Sequence, residues 1–108
     1  MMSAHTKNLR RFTVVHTDND VTICNSAERL RTQLGELVDR QVTHICVDLS
    51  RASVIDSCVI GALVEYHVRL NKMGGELVIM SPRNIVIESL IRMQIDQVVR
   101  FVENESQI

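Results

Sequence analysis

The sequence predicts a single α/β domain built on a mixed β-sheet of four to five strands, with an N-terminal hairpin and three main helices packed against the sheet. Three observations carry that prediction. Residues 42–49 (VTHICVDL) and 76–80 (ELVIM) are short, almost continuous apolar and β-branched runs, the pattern of strands covered by helices. Between them a helical stripe stops at Gly74-Gly75, so strand, helix and strand follow in the order of a right-handed parallel crossover. The length, 108 residues, suits one core burying roughly 65% of the unfolded surface and leaves no room for two domains around a cleft.

Taken in order, residues 1–10 are polar, include Lys7 and Arg10, and read as a loose lead into a domain over residues 11–103. Two β-rich runs, Phe12–His16 and residues 21–24, flank the turn formers Thr17-Asp18-Asn19-Asp20 and predict a hairpin. Asn25 stands three residues before Glu28 as in a capping box. Ala27, Leu30, Leu34, Leu37 and Val38 then recur at helical spacing, which predicts a first helix over residues 26–39. Residues 42–49 are the expected central strand. From Ser57 to Met73 the residues Val59, Leu63, Tyr66, Leu70 and Met73 form one stripe of a second helix, and Gly74 supplies the positive φ of a helix C-terminus.

Residues 76–80 make the next strand. Ser81-Pro82 reads as the N-cap and first residue of a third helix over residues 82–93, with Ile85, Val86, Ile87, Leu90 and Ile91 as its apolar positions. Residues 98–102 predict a last strand, and residues 104–108 a polar tail.

Composition narrows the function classes. Hydrophobic residues at 45% and charged residues at 23% are ordinary for a globular domain. Twelve Lys and Arg against thirteen Asp and Glu leave a net charge of −1, without the basic field of a nucleic-acid binder. The aromatic residues Phe12, Tyr66 and Phe101 are too few for base stacking. There is no apolar stretch approaching the ~20 residues of a membrane span, and no signal-peptide pattern, which sets a cytoplasmic expectation. Cys24, Cys46 and Cys58 are odd in number and contain no Cys-x-x-Cys pair, so they are expected to be reduced. His5, His16, His44 and His67 lack metal-ligand spacing, and no glycine-rich loop precedes a helix, so neither metal nor cofactor is expected.

The chemistry-bearing segment is Val54-Ile55-Asp56-Ser57-Cys58-Val59-Ile60-Gly61, at a loop-to-helix junction after the central strand. A hydroxyl there lies near unpaired helix N–H groups, where an added phosphate is favoured, and Asp56 or Ser57 can equally act as a plain cap. Cys58, also near the helix start, is a candidate for a lowered thiol pKa or a small packed residue, with Asp56 opposing the thiolate. Glu65 and Arg69, at i and i+4, mark the outer helix face. Asp48 closes a strand as a receiver-domain phosphoacceptor would, but the acidic pair and late lysine of such a domain are missing.

The stretch VDLSRASVIDSCVIGALVEYHVRLNKMGGELVIMSP closely resembles the core of STAS domains typified by bacterial anti-sigma factor antagonists. Their pattern is a strand ending in an Asp-Leu-Ser-like turn, an Ile-Asp-Ser-Ser-Gly-Leu-Gly-like helix start, and Gly-Gly before the next strand. The order of elements agrees from about Phe12 to Val102. Cys58 and Val59 stand where the family has its second serine and following glycine, and Asp20, Thr22 and Ile23 occupy a region where it favours a glycine and an acidic residue.

The resemblance implies a STAS-like fold and a non-enzymatic regulatory switch. It implies that Ser57 is phosphorylated, and that Asp56, Ser57, Cys58, Gly61 and Glu65 form the partner-binding surface. The implied partners are a serine-protein kinase that is an anti-sigma factor or its relative, and a PP2C-like phosphatase; nucleic acid and membrane are not among them. The alternative is a STAS-type scaffold or assembly module in a signalling complex, with Ser57 an unmodified cap.

Overall fold

Nearly continuous apolar strands need cover, and in the computed structural model, which describes residues 6–9, 12–17, 24–52, 55, 57–80 and 82–104, helices supply it on one face of the sheet. The elements in order are β1 (Thr6–Leu9), β2 (Phe12–His16), α1 (Cys24–Asp39), β3 (His44–Asp48), α2 (Ser57–Lys72), β4 (Glu76–Met80), α3 (Asn84–Arg92), a 3₁₀ turn (Ile95–Gln97) and β5 (Arg100–Val102). The strands lie in the order β1-β2-β3-β4-β5. β1 is antiparallel to β2, and β2 to β5 are parallel, in a register that aligns Val14, Cys46, Val78 and Arg100.

Each parallel crossover steps to the next strand in the same direction, and right-handed crossovers therefore place all three helices on one face. The core shows it. Val15, Ile45, Val47, Leu77 and Ile79 from that face pack with Leu30, Leu34 and Leu37 of α1, Val59, Leu63 and Leu70 of α2, and Val86 and Leu90 of α3. Strand alternation sends Phe12, Val14, Cys46, Val78, Met80 and Val102 to the opposite face, where they form a second buried cluster.

The expected α/β architecture, with its mixed sheet and three helices, is the observed one, and several local expectations are corrected. The described hairpin pairs Thr6–Leu9 with Phe12–His16, and of the run 21–24 expected to be its second strand the described residue, Cys24, lies in α1. Cys24 is the first residue of α1, so the helix starts earlier than residue 26, and residues 18–23 lie outside the described residues. The physical reason is that β2 runs parallel to β3, so the chain must leave β2 through a crossover helix and cannot double back beside it. Thr6–Leu9, inside the segment expected to be loose, takes the free edge of β2, where a polar sequence suits an edge strand.

The third helix begins at Asn84 and not at Pro82. Its N-cap is Arg83, extended at φ −71° and ψ 158° and without a side-chain cap. The Arg83 guanidinium is occupied elsewhere, donating from Nε to the Ser50 carbonyl at 3.1 Å. Ser81 lies outside the described residues. Of the expected apolar stripe, Val86 and Leu90 are buried, whereas Ile85 and Ile91 are 58% and 50% exposed. Met73, placed on the α2 stripe, is exposed at the helix end, and the last strand is shortened to Arg100–Val102 by the 3₁₀ turn before it.

Candidate functional site

The turn that follows β3, on the way to α2, is braced by hydrogen bonds. At the end of β3 both carboxylate oxygens of Asp48 are used: Oδ2 accepts from His16 Nδ1 at 2.7 Å and Oδ1 accepts the Ser50 N–H at 2.9 Å. The Asp48 carbonyl accepts from the Thr17 hydroxyl at 3.0 Å and the Thr17 N–H at 3.2 Å. The Leu49 N–H donates to the Met80 carbonyl, and the Ala52 N–H to the Leu49 carbonyl, each at 3.0 Å. Ala52 and Ile55, between β3 and α2, are buried. Asp48 is thus a brace of this loop and not an open phosphoacceptor.

The residues α2 buries decide which it presents. Val59, Ile60, Ala62, Leu63, Tyr66 and Leu70 face the core. At one-turn spacing on the other side, Ser57, Gly61 and Glu65 are all exposed and form a ridge that opens with a serine hydroxyl. Cys58 is half-buried and packs against the core, and Val59, where the family pattern has glycine, is fully buried. Asp56 lies outside the described residues.

The structure brings in residues that sequence reasoning missed. Arg31 of α1 pairs with Glu65 across the α1–α2 seam, and Arg69 Nη1 lies 3.8 Å from the other Glu65 oxygen. The Tyr66 hydroxyl donates to the Arg31 carbonyl at 3.4 Å and accepts from Arg69 Nη1 at 3.1 Å, while the Arg69 guanidinium lies 4.9 Å from the Tyr66 ring centre. Spacing along α2 exposes the Glu65–Arg69 pair, but no periodicity indicates which α1 residue reaches it.

Among the described residues, no three His, Cys, Asp or Glu side chains are grouped to hold a metal ion, and no helix is long and apolar enough to cross a membrane. A cleft of about 480 Å³ lies between the end of the sheet and the start of α3, lined by Pro82, Asn84, Ile87, Phe101, Val102 and Glu103. It includes none of the predicted site residues. Because Cys58 is a packed side chain, Cys58→Ala should lower stability by about 1 kcal/mol, measured by denaturant unfolding, and leave the surface of α2 functional. A variant that folds normally but has lost all partner binding would instead give the thiol a role.

Fold and site together define a helix-covered parallel α/β domain that presents a serine at the exposed start of its second crossover helix. A model of the STAS domain matches residues 3–108, and the chain belongs to that family. No curated protein matches the sequence.

Among solved structures, a Thermotoga maritima protein described as a candidate anti-sigma factor antagonist is similar, with a TM-score of 0.83 at 19% identity, covering 94% of this chain and 87% of the other. The anti-sigma factor antagonist SpoIIAA in its unphosphorylated form gives 0.80 at 16% identity, covering 94% and 90%. The phosphorylated form of SpoIIAA, described as a Bacillus cell fate determinant, gives 0.73 at 14% identity, covering 94% and 93%. These likenesses establish the fold.

Proposed function

We propose that the chain is a non-enzymatic, phosphorylation-controlled switch, in which the α2 ridge docks on a serine-protein kinase of the anti-sigma factor type when Ser57 is unmodified and releases it when Ser57 carries phosphate. In the modifying step the kinase transfers the γ-phosphoryl group of a nucleoside triphosphate to Ser57 Oγ, with loss of the hydroxyl proton and departure of the diphosphate. A PP2C-like phosphatase hydrolyses the ester and resets the switch. A nucleotide-dependent partner goes with a cytoplasmic setting. The similarity to an anti-sigma factor antagonist solved in both unphosphorylated and phosphorylated forms supports this reading.

The observation that carries it is Gly61. A glycine inside a helix costs about 1 kcal/mol relative to alanine. Among the described residues, a Cβ at Gly61 would meet only Arg31 Nη2, at an ordinary 3.6 Å, so close internal packing there does not demand the glycine. A bare backbone between exposed Ser57 and Glu65 is of use to a surface that approaches closely from outside. Gly61→Ala should therefore raise the melting temperature by a few degrees while weakening capture of the partner. An alanine variant that is stabilised and binds normally would remove this support. Phosphopeptide mapping of the protein from its native cells should find phosphate on Ser57, and its absence under every growth condition would overturn the switch.

The second reading, a STAS-type assembly module with Ser57 as a cap, is favoured by one feature. Ile85, Ile91, Met93 and Val98 are each at least half exposed around α3 and the turn after it. Large apolar side chains in water suit self-association or incorporation into a larger complex. Sedimentation of the purified chain over a range of concentrations separates the readings.

A further inference from the structure

We propose that Arg31 is the intramolecular acceptor of the Ser57 phosphate, its guanidinium moving from Glu65 to the phosphoryl oxygens when the serine is modified. The inference rests on the reading of Ser57 as the modified residue, and on the α1–α2 seam for what the phosphate meets there.

The backbone at Arg31 is fixed to α2 through the Tyr66 hydroxyl, whereas its side chain is held at the surface by Glu65. Arg31 and Glu65 are each 41% exposed, and solvent-exposed pairs of this kind hold their geometry weakly. The guanidinium reaches Glu65 by running along the ridge: its Nη2 lies 3.6 Å from the point a Gly61 Cβ would occupy, over the turn between Glu65 and Ser57. Ser57 is the next position along that ridge, and Cβ atoms one turn apart are only about 5–6 Å from each other. Gly61 has no side chain to stand between the two.

Chemistry favours the transfer. A phosphoserine carries about −1.5 to −2 charges and three acceptor oxygens, against the single charge of Glu65, and a guanidinium can bind it through two parallel N–H donors. Glu65 is then released by Arg31 and left with Arg69 as its neighbour, 3.8 Å away. One phosphate thus alters the ridge at both ends. A partner that contacts Glu65 senses the modification two turns away from the modified atom.

The test supplies the phosphate without a kinase, by inserting phosphoserine at position 57 during translation, and follows its titration by ³¹P NMR. The phosphate should titrate about half a unit lower in the otherwise unaltered protein than in Arg31→Gln, the size of an exposed charge pair. Glu65→Gln, which removes the competing carboxylate, should lower it further. Melting curves of each variant show that the fold is retained. Equal titration with and without Arg31, or loss of the shift in Arg51→Gln, a change at an exposed arginine of the turn after β3, and not in Arg31→Gln, overturns the proposal. Failure of native cells to phosphorylate Ser57 would instead defeat the functional reading and leave this titration unaffected.

Discussion

Partner binding should persist in Ser57→Ala and fall by about 10²-fold or more in Ser57→Asp and Ser57→Glu, with all three variants melting near the parent. Ser57 is exposed at the first residue of α2, so its side chain holds up none of the core, and an acidic residue in a first helical turn is well tolerated. The binding surface is different. Docking would press the ridge into a region from which water is excluded, and added negative charge buried there without positive groups on the partner to match it costs several kcal/mol, even with Arg31 close by. The phosphate itself, with nearly two charges, should have a larger effect than either acidic substitution. The partner is recovered from native cells with Ser57→Ala as bait, and titration calorimetry with the purified pair then compares the variants. Equal affinity across the set, or loss of binding only where the fold is lost, would make Ser57 a cap and not a switch.

Gly75→Ala should remove roughly 3 kcal/mol or more of stability, a large part of the ~5–15 kcal/mol that holds a domain of this size together. A Cβ at this position would stand 1.7 Å from the Thr43 carbonyl oxygen and 2.5 Å from its carbon, both rigid backbone. That oxygen accepts the Glu76 N–H at 2.9 Å, and the Gly75 N–H donates to the Leu70 carbonyl at 2.8 Å. Relief of the clash would therefore strain the contact that begins the pairing of β3 with β4. Gly74 is the control. It has φ +79° and open space around it, so Gly74→Ala should cost only about 1 kcal/mol, from conformation alone. Urea unfolding of both variants checks the contrast, and equal losses would show that the two glycines serve the same turn.

Much of the fold was legible because its signals are local. The runs around Ile45, Cys46 and Val47 and around Leu77, Val78 and Ile79 show no alternation, since these residues are buried on both sheet faces. The α2 stripe ends at Gly74 because a left-handed residue closes a helix. The third helix was harder to read. Ile85, Ile87 and Ile91 are as apolar as Val86 and Leu90, so composition ranks them alike, and only contact with the sheet separates the buried pair from the rest. The hairpin failed for a similar reason. Residues 21–24 have strand-forming side chains, and whether such a segment pairs with β2 depends on which strand already occupies that edge.

By itself the sequence determined the α/β class, the three helices, the order of the central strands and the place of Ser57 at a helix start. Each of these depends on spacing along the chain or on the backbone preferences of single residues. Tertiary structure alone decided that Thr6–Leu9 takes the edge of β2, that Asp48 is consumed in bracing a loop, and that Arg31 meets Glu65 beside Gly61. These pairings join residues 34 positions apart in the case of Arg31 and Glu65, and 32 in the case of His16 and Asp48. Side-chain periodicity tells which face of a helix or strand is covered, but which residue of another element covers it is settled only when the helices pack across the sheet.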